Sequence, residues 1–312
     1  MKIENLLNPY DILKSAQSGK YAIGSFNFST AEILKAIVLA AQELKSPIIV
    51  STSEGEAGFI GMREAFALVK AWRNGNNLPK IGNNLPKIGN NLPIILNLDH
   101  GKSLSAIRQA LECGYDAVHF DGSHLDYESN ILETKAVVDL ARDFEKATGK
   151  KIIVEGELGY LRGSSVVHKE KLEIKEEDLT SPEQAKDFIG RTGVDSLAIV
   201  IGNAHGVFVE ESEKLYLDRL ARIKEAVGNS VFLVLHGGSG ISNEDIKKAI
   251  EIGIVKINVN TELRVAYHNA LEKEMDEKPE ETTPYKILEP SLEAVKKVVE
   301  GKIKLFGSEN KI

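Results

Sequence analysis

The chain has 312 residues, 42% of them hydrophobic, a formal net charge of −7 and one cysteine; it is long enough for one large domain and too acidic for nucleic acid or an anionic membrane as its main partner. Cys113 alone cannot build an intrachain disulfide or a thiolate-rich metal site, so any metal must be held by histidine and carboxylate. The opening MKIENLLNPYDILK has no apolar segment of signal-peptide type and no run of about 18 apolar residues occurs, which predicts a soluble cytoplasmic protein.

Along the chain the apolar pattern alternates between strand and helix. Residues 21–26 (YAIGSF) read as a strand, and 30–44 as an amphipathic helix with Ile33, Ile37, Val38, Ala41 and Leu44 on one face. Residues 47–51 (PIIVS) form the second strand, 53–56 a turn and 61–72 a helix. The heptad NNLPKIG then stands at 76–82 and again at 83–89, and NNLP begins a third time at 90. Asn-Asn, Pro and Gly disfavour helix and central strand, and lengthening a surface loop costs little, so a structurally idle loop duplication is expected.

Residues 93–101 (PIILNLDHG) form the third strand, a buried run ending abruptly in Asp99 and His100. Ser103 N-caps a helix to Glu112, 117–120 is the fourth strand, and 127–148 is a helix ended by Gly149. The fifth strand is 152–155, followed by a long charged connection at 163–179 and a helix that opens on Ser181-Pro182 and runs to Thr192. Residues 197–206 (LAIVIGNAHG) and 231–240 (VFLVLHGGSG) are the sixth and seventh strands, each with a histidine just past a β-rich run, and a helix at 215–227 lies between them. A helix at 243–252, a strand at 254–259 and a helix at 261–277 complete the series. Eight strands with intervening helices predict a single α/β domain over 1–312, a (β/α)8 TIM barrel, with an extra C-terminal helix at 291–302 packed outside the barrel or on a partner subunit.

In such a barrel the strand C-terminal ends converge on one face. That geometry gathers Asn27, Ser53, Asp99, His100, Asp121, Glu157, His205, His236 and Asn258. His100, His205 and His236, at equivalent positions, suit a catalytic zinc with an open coordination position. His119 within a strand and His268 within a helix read as structural, and His124 and His168 do not share the placement. Gly206, the turn Gly237, Gly238 and Ser239, and Asn258, Val259, Asn260 and Thr261 leading into a helix form an anion cradle after strands seven and eight, the usual phosphate position of this fold. A lysine Schiff-base chemistry would instead use Lys256, on the same strand face as Asn258.

These residues carry a resemblance. YAIGSFNFST, SPIIVSTSEGEAG, LNLDHG, the DGSH from Asp121, VEGELG, the VDSLAIVIGNAHG from Val194, LVLHGGSGI, KINVNTELR and KLFGSENKI together resemble the class II, metal-dependent ketose-bisphosphate aldolases over nearly the whole chain. The resemblance implies zinc on His100, His205 and His236, with Asp99 as the acid/base at the C4 oxygen. It implies a second or displaced divalent metal position at Asp121 and Glu157, and a monovalent cation, Na+ or K+, near the phosphate. Gly206, Gly237 to Ser239 and Asn258 to Thr261 would hold dihydroxyacetone phosphate, with Asn258 near the reacting carbons and Ser53 at the substrate's other end. It further implies a glycolytic fructose-1,6-bisphosphate aldolase, with a tagatose-1,6-bisphosphate aldolase or a non-catalytic homologous subunit as alternatives, acting as a homodimer or homotetramer. One position departs from the family: Ser165 stands where a loop Glu often handles the proton on the enediolate carbon, which leaves Glu170 or His168 to reach in.

Overall fold

The computed structural model describes residues 8–73, 92–168, 174–208 and 214–312, with main chain alone at 164–168, 205, 207 and 208. The NNLPKIG units and Glu170 lie outside the described residues, as do the side chains of Ser165, His168 and His205.

The strands are β1 (Ile23–Asn27), β2 (Ile48–Ser53), β3 (Ile94–Gly101), β4 (Ala117–Phe120), β5 (Ile153–Leu158), β6 (Gly163–His168), β7 (Ser196–Ile199), β8 (His205–Phe208), β9 (Phe232–Leu235) and β10 (Ile254–Val259). Eight of them close a parallel barrel in the order β1-β10-β9-β7-β5-β4-β3-β2. The helices are α1 (Pro9–Gly19), α2 (Ala31–Glu43), α3 (Glu54–Ile60), α4 (Met62–Arg73), α5 (Leu104–Cys113), α6 (Tyr127–Thr148), α7 (Pro182–Thr192), α8 (Leu217–Val227), α9 (Asn243–Ile252), α10 (Thr261–Glu277) and α11 (Pro284–Phe306). Thr30, Ser103, Asp126, Ser181 and Ser242 each accept an N–H of the first turn that follows, which starts α2, α5, α6, α7 and α9 where they start.

Parallel strands covered on both faces must be apolar nearly throughout, and β1, β5, β9 and β10 are buried at every position. The main core lies between this barrel and its helices. A second cluster, Leu13 and Ala16 of α1 with Ile23, Ile49, Ile95, Ala117, Ile153, Phe232 and Val255, comes from the first residues of the strands. Helix α1 therefore seals the N-terminal mouth of the barrel, and the opposite mouth is the one left to carry polar side chains.

Several elements differ from the sequence expectation. Residues 53–56 are no simple turn: Ser53 and Glu56 form a capping box that opens α3. The sixth predicted strand divides, because Gly202 takes φ +104 and the fully buried Asn203 replaces ladder bonds, its Oδ1 accepting the Ile201 N–H at 2.8 Å and its Nδ2 donating to the His236 carbonyl at 3.0 Å. His205 consequently begins a separate strand, β8, which pairs in parallel with β6 outside the barrel. That pairing also gives the charged connection at 163–179 a strand. Helix α11 is longer than predicted, holding Pro290 within it, and packs on α2 and α10 of its own chain, with Lys296 Nζ 2.6 Å from Glu43. Helix α1, unforeseen, starts where Asn8 accepts the Tyr10 N–H and Pro9 pre-sets the first turn.

Candidate active site

At the C-terminal mouth a cavity of about 420 Å³ is walled by residues from several strand ends, among them Asn27, Ser53, Asp99, His100, Gly206, His236 and Asn258. Glu56, Gly237, Ser239, Asn260 and Thr261 also line it. A carboxylate, imidazoles and amides far apart in sequence are thus brought to one place.

Asp99 is 5% exposed, and its two oxygens accept from Asn258 Nδ2 at 2.9 Å and Asn27 Nδ2 at 3.1 Å. Burial disfavours its charge, but His100, His119 and His236 around it prevail and hold it well below the usual carboxylate range. Glu56 braces the same wall: its Oε2 accepts from Asn27 Nδ2 at 2.9 Å and from the Ser53 N–H at 2.8 Å, and its Oε1 from Asn260 Nδ2 at 3.3 Å.

Next to Asp99, His100 has its Nδ1 2.9 Å from Asp121 Oδ2, and Asp121 is itself fixed by Ser123, whose hydroxyl donates to its other oxygen at 2.6 Å. Across the barrel, His236 Nε2 lies 2.9 Å from Glu155 Oε1, and Glu155 Oε2 accepts from Lys256 Nζ at 2.7 Å. Burial foremost lowers the His236 pKa, which favours its neutral form. A carboxylate only accepts, so each of these contacts places the imidazole proton on the nitrogen it touches. The remaining nitrogens, His100 Nε2 and His236 Nδ1, face each other at hydrogen-bond distance, 3.1 Å apart.

Two imidazole nitrogens at that distance can share a proton or a metal ion, and Asp99, Asp121 and Glu157 around His100 favour positive charge there. With Zn–N bonds of about 2.0–2.1 Å in tetrahedral geometry, two ligand nitrogens stand about 3.3 Å apart, so the pair fits such an ion. Asp99, His100, His119 and His236 offer ligand atoms within 4.8 Å of one another, and His100, Asp121 and Glu157 form a second group of this kind. Glu157 Oε2 is buried, 3.7 Å from His100 Nδ1, and has no aligned hydrogen bond. The donor set therefore suits a divalent metal. Gly206, which lines the cavity, places the main chain of His205 beside it.

The opposite wall is made for close approach. Gly237 takes φ +65, and a Cβ there would sit 1.9 Å from the Ala204 carbonyl oxygen; at Gly238 it would meet Ile257 Cγ2 at 2.5 Å. Asn260 precedes α10 but gives its amide to Glu56 instead of capping the helix. The helix start meets the glycine turn, the Glu262 N–H donating to the Ser239 hydroxyl at 3.4 Å, and Arg264, one turn in, lines the cavity as well.

Not every predicted residue reaches the cavity with its side chain. Val259 is wholly buried in the core; it and the predicted Gly238, Asp121 and Glu157 do not line the cavity, and the Ser53 hydroxyl accepts the Glu56 N–H at 3.3 Å as a helix cap. His119, read from sequence as structural, lies in the cluster, its ring centroid 4.8 Å from those of both His100 and His236. Glu155, Glu56 and Arg264 were also not assigned to the site, and Lys256 was considered only as a Schiff-base lysine. Period two was the available signal: His119 stands two residues before Asp121, Glu155 two before Glu157 and Lys256 two before Asn258, which puts each pair on one strand face. The Lys256 ammonium, 3% exposed and paired with Glu155, is held as a counter-ion and does not suit a Schiff-base nucleophile.

Fold and site together define a (β/α)8 barrel whose mouth carries a cluster of histidines and carboxylates able to hold a metal ion. The family model of class II fructose-bisphosphate aldolases matches residues 8–311, and the chain belongs to that family. Among solved structures it is similar to the YdjI aldolase from Escherichia coli K12, at 34% identity over 98% of this chain and 99% of that one with a TM-score of 0.77. It is also similar to a putative fructose-1,6-bisphosphate aldolase from Coccidioides immitis, at 27% identity over 98% of both chains with a TM-score of 0.78. A fructose-bisphosphate aldolase from Campylobacter jejuni, 21% identical over 97% of this chain and 95% of that one, shares the fold with a TM-score of 0.73. No helix among the described residues is long and apolar enough to cross a membrane.

Proposed function

We propose that the chain catalyses the zinc-dependent, reversible cleavage of fructose 1,6-bisphosphate to dihydroxyacetone phosphate and glyceraldehyde 3-phosphate, the aldol step of glycolysis and gluconeogenesis. The observation that carries this reading is the pair of imidazole nitrogens facing each other at 3.1 Å, beside Asp99 and opposite the glycine turn and helix start. Cation site, proton carrier and anion cradle share one cavity.

His100 and His236, with His205 as the third ligand, would hold Zn2+, which when bound polarises the substrate ketone and stabilises the negative charge that develops on it. Asp99, kept ionised, takes the proton of the C4 hydroxyl. The C4–O electrons then form the aldehyde as the C3–C4 bond breaks, the electrons of that bond pass to the ketone oxygen, and a proton delivered to C3 completes dihydroxyacetone phosphate. In the synthetic direction Asp99 returns that proton. Asn27 and Asn258 donate to the two Asp99 oxygens and so aim the carboxylate. Their own amide oxygens are buried without partners, and substrate hydroxyls would satisfy them. The turn Gly237 to Ser239 and the start of α10, with Arg264 beside it, would bind a phosphate of the substrate. Asp121 and Glu157 would offer the metal a displaced position with His100.

The test is the rate of cleavage of both C4 epimers, fructose and tagatose 1,6-bisphosphate, by the purified chain before and after chelation. Chelation is expected to abolish turnover, zinc to restore it, and the fructose substrate to react faster. A zinc-loaded chain that cleaves neither epimer would show the reading to be wrong.

A further inference from the structure

Adjacent residues of a regular strand point to opposite faces, yet Asp99 and His100 both line the same cavity. The pairing of β3 with β4 explains this. Leu98 stands opposite Val118 and Gly101 opposite Phe120, so two residues of β3, Asp99 and His100, face the single residue His119. This two-against-one count is a bulge. It turns His100 to φ +50, a left-handed conformation uncommon for a residue with a side chain.

A bulge turns a main-chain N–H out of the ladder and needs a substitute acceptor. Here the acceptor is a side chain: the His100 N–H donates to His119 Nδ1 at 3.1 Å. His119 is 0% exposed. For Nδ1 to accept, the ring must be neutral with its proton on Nε2, which lies 3.0 Å from Glu157 Oε2. The His119 ring also meets the His100 ring edge-on, at a centroid distance of 4.8 Å and an interplanar angle of 64°.

We infer that His119 is a positioning residue for the metal centre: its Nδ1 holds the bulge that presents His100 to the metal. This rests on the metal centre proposed above. With Nδ1 engaged by the His100 N–H, that nitrogen of His119 is not offered to the metal. His119 acts through the backbone of a ligand. A merely space-filling residue would be replaceable by any side chain of similar volume, whereas the role assigned here requires an acceptor at one point.

Asparagine places its Oδ1 close to where histidine carries Nδ1, while glutamine puts its amide near the Nε2 position and leaves the Nδ1 point without an acceptor. The experiment measures the zinc dissociation constant of the full-length chain by chelator competition, together with the visible spectrum after Co2+ substitution, for His119→Asn, His119→Gln and His119→Leu. His119→Gln and His119→Leu are expected to weaken zinc binding about 10- to 100-fold and to alter the Co2+ bands, and His119→Asn to stay within about threefold of the parent with its bands unchanged. Should His119→Leu fail to fold, the Asn and Gln pair, alike in polarity, still reads the acceptor. Parent-like zinc affinity in His119→Gln, or equal losses in His119→Asn and His119→Gln, would overturn the assignment. A parent chain that binds no zinc would instead refute the metal centre itself.

Discussion

The buried carboxylate beneath His236 offers a prediction in which fold stability and metal binding separate. Glu155, Lys256 and His236 are 2%, 3% and 1% exposed, and Glu155 spans the other two at 2.7 and 2.9 Å. In Glu155→Gln the amide can accept from one neighbour only, and the Lys256 ammonium stays buried without its counter-ion. Removing one partner of a buried pair costs about 3–5 kcal/mol. At roughly 2 °C per kcal/mol for a chain of this size, the metal-free protein should melt about 6–10 °C lower. The double variant Glu155→Leu/Lys256→Met removes both charges, and apolar replacement of a whole pair should return stability to within about 1 kcal/mol of the parent. It does not return the acceptor that keeps the His236 proton on Nε2 and the lone pair of Nδ1 toward the metal. Zinc affinity should therefore remain about 10- to 100-fold down in the double variant. Urea unfolding of the metal-free chain and chelator competition measure the two quantities separately. Recovery of both together in the double variant would refute the orienting role of Glu155, and an unchanged unfolding midpoint in Glu155→Gln would refute the ion-pair argument.

Asp99→Asn should lower turnover about 10²- to 10⁴-fold in the zinc-loaded chain, the range of a general acid/base, with zinc affinity little changed; steady-state kinetics beside chelator competition checks both halves. Gly237→Ala should destabilise the fold and remove activity, because its Cβ would stand 1.9 Å from the Ala204 oxygen at φ +65, whereas Gly190→Ala in α7, with nothing within 4 Å of the new methyl, should gain about 0.5–1 kcal/mol; thermal melts of the two should move in opposite directions. Burial opposes the charge of Asp121, but its contact with His100 outweighs this and depresses its pKa. The folded value thus lies below the unfolded one, so the contribution is present above about pH 4 and lost as acid protonates the folded carboxylate. Unfolding midpoints of the metal-free chain between about pH 5 and 3 should accordingly fall less steeply in Asp121→Asn than in the parent.

The barrel was legible because its signals are local. Buried parallel strands read as short apolar runs, and Ser103, Asp126 and Ser181 sit where helices start, so the eight barrel strands came out near their observed places. Two errors share a cause. Ser53 and Glu56 were read as a turn although serine followed three residues later by glutamate is a capping box, and the division at Gly202 was passed over because 197–206 looks continuously β-rich. In both places a side-chain hydrogen bond overrides backbone propensity, and propensity alone does not record it.

The sequence by itself determined the (β/α)8 order and the polar residues that end the strands, since periodicity and caps are properties of neighbouring residues. It also placed Asp99 next to His100, where alternation would have sent them to opposite faces. Only the tertiary structure showed how both reach the one cavity expected of them, because the two-against-one register with His119 depends on how β3 meets β4. It likewise decided which nitrogen of each histidine is offered. That choice belongs to Asp121 for His100 and to Glu155 for His236, carboxylates 21 and 81 residues distant in sequence and in contact only because the barrel closes.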